Sequence, residues 1–88
     1  MDEEEIEGRI LELLYDIYKS QGPAVVLRLK VMEEEMALGA GEIRKGLLRL
    51  AREGLVRYWE LGEAASISEY GLKLCEKRFP RWPRGSSR

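Results

Sequence analysis

The stretch MALGAGEIRKGLLRLAREGLVRYWEL, residues 36–61, decides the fold of this chain. The two glycines within residues 39–41 predict a turn, because a glycine weakens a helix interior by about 1 kcal/mol relative to alanine. From 42 to about 53 the apolar residues return with helical spacing, and Gly54 is placed to end that helix in a left-handed conformation. Residues 56–61 have the pattern of a strand. The stretch therefore predicts a turn, a helix and a strand in succession.

The sequence on either side of this stretch completes a mainly helical domain. Gln21-Gly22-Pro23 ends a first helix, and the Gly-Glu pair at 62–63 predicts a hairpin turn. The predicted elements outside the quoted stretch are a helix at 4–20, a β-bridge within 24–27, a helix from about 29, a returning strand at 64–68 and a helix at 68–79. The fold class is thus mainly α with a small β-hairpin. We expect one domain over residues 1–79, followed by a basic, disordered tail over residues 80–88.

Two motifs carry a resemblance to a known family. The segment MALGAGEIRKGLLRLAREGLV resembles the helix-turn-helix segment of winged-helix transcriptional regulators, especially archaeal and MarR-like ones, including their ending L-x-x-x-G-L-V. The segment ISEYG, at 67–71, resembles the L-T-x-x-G junction between the wing and the last helix in that family. Over residues 6–79 the resemblance implies a winged helix-turn-helix fold, with a recognition helix at about 42–53 and the hairpin as its wing. It also implies double-stranded DNA binding by a small transcriptional regulator or nucleoid-associated protein.

The basic side of the third helix carries the predicted DNA contacts. Packing Ile43, Leu47 and Leu50 into the core turns the cations of this helix outward, where they can neutralise phosphates or form paired hydrogen bonds with guanine. The resemblance implies that the N-terminal part of this helix enters the major groove. The predicted contacts are Arg44, Lys45 and Arg49 at the bases, Leu48 at a thymine methyl group, and Arg52 and Arg57 at phosphates. The alternative is a basic helix face that is merely solvated surface.

The C-terminal residues add further cations. Lys77, Arg78 and Arg81 are interspersed with aromatic residues in KRFPRWPRGSSR, a pattern suited to contact with a nucleic-acid backbone. These three cations complete the predicted DNA-binding set. The alternative is a solubilising tail in which Phe79 only closes the core.

Two features favour a different function. Leu48 lies in the middle of the basic face, where DNA-binding helices usually carry a polar side chain. The hairpin carries Glu60 and Glu63, whereas a wing that binds the minor groove usually offers arginine or lysine. The alternative function is therefore a winged-helix protein–protein interaction module within a larger assembly.

A second apolar stripe on the first helix predicts a homodimer. Leu11, Tyr15 and Tyr18 exceed what a three-helix core needs, and an exposed apolar patch of that size tends to bind a partner. In many winged-helix regulators the terminal helices form a two-fold dimer, so Leu72 and Phe79 of the last helix join the predicted interface. The alternative is that the last helix covers this stripe within one monomer.

The composition argues against an enzyme. The 88 residues include no histidine and a single cysteine, so the usual general base, a cysteine zinc cluster and an internal disulfide are all missing. The segment GAGEIRKG has the wrong spacing for a phosphate-binding loop and follows a helix rather than a strand. Glu33, Glu34 and Glu35 project to different sides of a helix and cannot all converge on one metal ion. We predict no catalysis, no metal, no cofactor and no small-molecule ligand.

Charge and hydropathy indicate the compartment. The net charge of −1 hides a basic C-terminal stretch and an acidic remainder. No apolar run reaches the roughly 18 residues that span a bilayer, and the opening MDEEEIE has the wrong charge for a signal peptide. We expect a cytoplasmic, nucleoid-associated protein without membrane contact. The scarcity of Asn, Gln and Cys beside abundant Glu and Arg follows the trend of thermophile proteins.

Overall fold

The computed structural model of the chain describes residues 2–78. Over that range the elements are the helices α1 (Glu3–Gln21), α2 (Leu29–Met36), α3 (Ala40–Arg52) and α4 (Glu69–Arg78), and the strands β1 (Leu27–Arg28), β2 (Val56–Trp59) and β3 (Ala64–Ile67). The fold is mainly helical with a small antiparallel sheet, as the sequence predicts. Phe79, Arg81 and the predicted tail of residues 80–88 lie outside the described residues.

Both ends of α1 pair backbone groups that a helix otherwise leaves unpaired. The Asp2 carboxylate accepts a hydrogen bond from the Glu5 N–H at 2.8 Å, which makes Asp2 the N-cap. Glutamates fill the first turn, where the helix dipole favours negative charge. At the other end Gly22, with φ of 93°, donates its N–H to the Tyr18 carbonyl at 2.8 Å. These caps explain why the predicted limits of this helix agree with the observed ones within one residue.

The turn between α2 and α3 lies earlier than the sequence predicts. It occupies residues 37–39, and Gly41 belongs to the first turn of α3. Ala37 takes the left-handed conformation, with φ of 56°, while Gly39 is extended and precedes α3 as its N-cap. The predicted turn at 39–41 is wrong for two reasons. A glycine in the first turn of a helix lowers the stability of that helix only a little. The left-handed conformation is adopted by an alanine instead, at a cost of about 1–2 kcal/mol.

The end of α3 forms the Schellman motif that Gly54 predicts. Gly54 has φ of 79°, and its N–H donates to the Ala51 carbonyl at 3.0 Å. The following N–H, of Leu55, donates to the Leu50 carbonyl at 2.9 Å. This reversal leads the chain directly into β2, which packs beside α3.

The strands form an antiparallel sheet in the order β1-β3-β2. Leu27 and Tyr58 lie opposite Ala65 in the centre of the sheet, and Val56 lies opposite Ile67. Side chains opposite each other on paired strands share one face of a sheet, so these residues form the inner face, toward the helices. The predicted hairpin is therefore joined by a third strand, β1, where the sequence predicted a single bridge.

The core lies mainly between α1 and α3, and α2, the inner face of the sheet and α4 close it. Its largest fully buried side chains are Ile10, Met32, Ile43, Leu47, Leu50 and Cys75. Because Cys75 is fully buried in this core, we assign it a packing role.

The first turn of α4 is fixed against the end of α3. The Ser68 hydroxyl donates to the Gly54 carbonyl at 2.6 Å and accepts the Gly71 N–H at 3.0 Å. A β-carbon on Gly71 would collide with the Leu55 carbonyl oxygen, so glycine is required at this contact. The segment ISEYG thus joins the sheet, α3 and α4 at one point.

α4 also covers the second apolar stripe of α1. Leu11 and Tyr15 are each 2% exposed, and α4 packs on α1 with Cys75 fully buried. Burial raises the pKa of the Tyr15 hydroxyl above its ordinary value of 10.0, and the nearby charge of Glu76 raises it further. The prediction that Leu11 and Tyr15 form an exposed patch is wrong, because helical spacing marks them as apolar but does not show which element covers them.

The remaining residues of the predicted dimer interface are less enclosed. Tyr18 and Leu72 are half-buried, and Phe79 lies outside the described residues. The homodimer stays a prediction.

Candidate nucleic-acid interface

α3 has one side in the core and the opposite side in solvent. Ile43, Leu47 and Leu50 are at most 1% exposed. At about 100° per residue, the positions opposite them on the helix are 45, 48 and 52. We call these the exposed face of α3, which consists of Lys45, Leu48 and Arg52.

The exposed face of α3 combines unpaired charge with an apolar centre. Neither Lys45 nor Arg52 has a hydrogen bond or ion pair with another residue in the range 2–78. Leu48 lies between them and is 38% exposed. Two flexible cations around one aliphatic side chain can neutralise phosphates and can contact a thymine methyl group.

Arg44 borders this face on the side of the hairpin, and its charge is already paired. Its Nη2 donates to Glu63 Oε2 at 2.8 Å, with 43% of the Arg44 side chain and 52% of the Glu63 side chain exposed. The hydrogen bond to Glu63 raises the pKa of Arg44, and a hydrogen bond to Tyr58 contributes next. Arg44 is therefore a permanent cation whose local field is partly cancelled by a carboxylate.

Glu63 is held in place by its backbone. It has a left-handed φ of 50°, and its carbonyl accepts the Leu29 N–H at 2.7 Å. This hydrogen bond ties the hairpin turn to the start of α2. As a result, the backbone of Glu63 is fixed at the hairpin turn, from where its carboxylate reaches Arg44 of α3.

Arg49 borders the exposed face on the opposite side and is paired with α1. Its Nε donates to Glu7 Oε2 at 2.7 Å, and its Nη1 lies 3.4 Å from Glu3 Oε2. The side chain is 31% exposed, and that of Glu7 only 18%. The sequence predicted Arg49 as an outward-pointing base contact, but the fold turns its guanidinium toward two carboxylates. Its position joins α3 to the first turns of α1.

Arg57 lies on a different surface from the α3 cations. The alternation of β2 places Arg57 and Trp59 on the solvent side of the sheet, whereas Tyr58 reaches Arg44 on the helical side. Arg57 is exposed. The fold therefore does not bring Arg57 together with the exposed face of α3.

The predicted C-terminal cations are only partly described. Lys77 is exposed on the last turn of α4, and Arg78 is the last residue of that helix. Arg81 lies outside the described residues. Its predicted contact with DNA stays a prediction.

Sequence reasoning missed the carboxylates that pair with the α3 cations. Glu63 is 19 positions from Arg44, and Glu7 is 42 positions from Arg49. The closely spaced carboxylates of MDEEEIE and those of the hairpin were signals in the sequence that acidic partners were available. The partner of each carboxylate depends on how α1 and the hairpin pack on α3, which no local pattern encodes.

Other kinds of site find little support within residues 2–78. That range contains no cluster of three or more His, Cys, Asp or Glu side chains placed to hold a metal ion. Its helices are all too short or too polar to span a membrane.

Comparisons of the chain with protein-family models, curated proteins and solved structures give no match.

Proposed function

We propose that this chain is a winged helix-turn-helix domain that binds double-stranded DNA, as a small transcriptional regulator or nucleoid-associated protein. α3 is the recognition helix and the β2–β3 hairpin is the wing. The observation that carries the proposal is the exposed face of α3, where Lys45 and Arg52 have no ion pair within residues 2–78 and lie opposite a fully buried side. The helix order and the three-stranded antiparallel sheet are compatible with this assignment.

The proposal divides the α3 residues by their surroundings. Lys45 and Leu48 enter the major groove, where the ammonium group donates to base acceptors or phosphates and the leucine contacts a thymine methyl group. Arg52, at the C-terminal end of the helix, contacts a phosphate. Arg44 contributes only when it exchanges Glu63 for a phosphate, and Arg49 acts in the fold rather than at the DNA.

The test is a salt titration of binding to a mixed-sequence duplex. We compare the wild-type chain with the double variant Lys45→Ala plus Arg52→Ala. The control is Lys19→Ala plus Lys73→Ala, which removes the same charge from exposed positions on α1 and α4.

Each lost phosphate contact should flatten the slope of log K against log salt concentration by about 0.9. We expect the α3 variant to lose at least about tenfold in affinity and to have a slope shallower by up to about two contacts. The control should bind as the wild type does, apart from a small general effect of charge. Equal affinity of the α3 variant and the control would overturn the proposal.

The protein-interaction module is the second candidate, and the exposed leucines favour it. Leu61 at the hairpin turn is fully exposed, and Leu48 is 38% exposed. The hairpin turn is also acidic, with Glu60 and Glu63 on either side of Leu61. Under this function Leu48→Glu plus Leu61→Glu would abolish the complex with a partner protein. Retention of the complex by that variant would exclude docking through these leucines.

A further inference from the structure

The solvent side of the sheet carries cations and an exposed indole. The register places Arg28 and Trp59 on either side of Ala64, and Arg57 opposite Ser66. Because these positions alternate with the buried inner face, their side chains share the opposite side of the sheet. We call this surface the outer sheet face, and it consists of Arg28, Arg57, Trp59, Ala64 and Ser66.

On the outer sheet face, the small side chains of Ala64 and Ser66 lie beside longer side chains of the neighbouring strands. Adjacent strands lie about 4.8 Å apart, so the Cα atoms of Arg28 and Trp59 are separated by roughly 10 Å across Ala64. Arg57 is two positions from Trp59 on the same strand, roughly 7 Å away. Because Ala64 and Ser66 are small, their side chains do not obstruct the approach of a planar group to the indole.

The long side chains of this face have no partner within residues 2–78. Trp59 is 46% exposed, and Arg28 and Arg57 are exposed without a hydrogen bond or ion pair to another described residue. This contrasts with Arg44 and Arg49, which both pair with carboxylates. The outer sheet face therefore offers a ligand positive charge and part of a π surface that the described residues leave exposed.

We propose that the outer sheet face binds single-stranded nucleic acid. A base stacks on the Trp59 indole above Ala64, and neighbouring phosphates contact Arg28 and Arg57. Stacking on an aromatic side chain contributes about 1–3 kcal/mol per base, and guanidinium groups neutralise the backbone. A single strand uses both features, because its bases are free to leave the stack. In a duplex the bases are already stacked on each other.

Glu60 limits where the strand lies. It follows Trp59 at the hairpin turn and is exposed, so its carboxylate repels a phosphate there. The other carboxylate of the turn, Glu63, is already paired with Arg44. The strand therefore runs from Trp59 along β2 toward Arg57, away from the turn, and Arg28 contacts it across Ala64 at the level of Trp59.

The site goes beyond the proposed duplex binding and uses other residues. It takes Arg57 from the predicted duplex contacts and adds Arg28 and Trp59. Lys45, Leu48 and Arg52 have no part in it. The two sites can therefore be tested separately in one protein.

The experiment measures binding of a fluorescently labelled oligothymidylate of about ten nucleotides, a length within the range that such surfaces bind. All proteins carry Trp82→Phe, so that tryptophan emission reports Trp59 alone. We expect saturable quenching of this emission. In anisotropy titrations, Trp59→Ala should weaken binding by about tenfold or more, and so should the double variant Arg28→Ala plus Arg57→Ala. Trp59→Phe should weaken binding less. Glu60→Gln should strengthen it.

Matched controls separate charge, folding and the duplex site. Lys19→Ala plus Lys73→Ala removes two cations from other surfaces and should leave oligothymidylate binding nearly unchanged. Lys45→Ala plus Arg52→Ala should lose duplex binding and keep single-strand binding. Circular dichroism of each variant verifies the fold, and Trp59→Phe retains an aromatic ring where Trp59→Ala does not.

Three results would overturn the proposal. The first is unchanged oligothymidylate affinity in Trp59→Ala. The second is an equal loss of duplex and single-strand affinity in that variant, which would make the outer sheet face part of the duplex site. The third is competition by polyglutamate as effective as that of unlabelled oligothymidylate, which would show that charge alone is responsible. If the wild-type chain binds oligothymidylate but does not bind duplex DNA, only the proposed function is refuted.

Discussion

α3 and the outer sheet face hold their cations in opposite ways. α3 carries four cations on or beside its exposed face, but Arg44 and Arg49 pair with carboxylates of the hairpin and of α1. The outer sheet face carries only Arg28 and Arg57, and neither is paired with another residue in the range 2–78. The number of cations in a segment is therefore a poor measure of the charge that a ligand meets. What matters is whether another element has already supplied a carboxylate.

The largest expected change in duplex affinity comes from reversing the charges on one of these two surfaces and not on the other. Lys45→Glu plus Arg52→Glu should lower duplex affinity by about a hundredfold, because each site changes from attracting a phosphate to repelling it. Arg28→Glu plus Arg57→Glu changes the net charge equally and should lower duplex affinity by much less. Fluorescence anisotropy with one labelled duplex compares the two. An equal loss in both variants would mean that only total charge matters.

A smaller effect is expected from releasing a paired cation. In Glu63→Gln, Arg44 loses the carboxylate 2.8 Å away and becomes available to a phosphate. We expect duplex affinity to rise by about threefold to tenfold, and the salt slope to steepen by about one contact. The matched control is Glu53→Gln, which removes an exposed carboxylate that has no ion pair in the described residues. A gain of the same size in that control would show a general charge effect instead.

The paired cations should contribute to stability where the unpaired ones do not. Arg49→Gln breaks the contact with Glu7, whose side chain is mostly enclosed, and should lower the free energy of unfolding by about 1 kcal/mol. Arg52→Gln, on the exposed face, should change it by less than about 0.5 kcal/mol. Denaturant titrations at low and high salt measure both, and the difference should shrink at high salt because screening weakens the ion pair. Equal stability of the two variants at low salt would contradict the assigned role of Arg49.

The elements predicted from the sequence are those that local patterns determine. The buried side of α3 follows from the spacing of Ile43 and Leu47, and its end follows from Gly54, because these signals act over one or two helical turns. The β2–β3 hairpin was predictable for the same reason. The turn before α3 was misplaced because Ala37 adopted the conformation expected of a glycine.

Features set by packing between distant segments were not predictable. Helical spacing identified Leu11 and Tyr15 as apolar, but whether α4 or a second subunit covers them is a matter of tertiary packing. Similarly, the basic residues of α3 were evident, but their pairing depends on α1 and the hairpin. The outer sheet face also needed the pairing of β1 with β3, which brings Arg28 level with Trp59.

The central claim is that duplex DNA contacts the exposed face of α3 rather than Arg44 and Arg49, which border it and pair with carboxylates. It is tested most directly by the salt dependence of duplex binding for Lys45→Ala and Arg49→Ala, each of which removes one cation from the same helix. We predict that Lys45→Ala lowers affinity and flattens the slope by about 0.9, while Arg49→Ala leaves the slope unchanged under conditions where both remain folded. A flatter slope for Arg49→Ala with an unchanged slope for Lys45→Ala would contradict the claim.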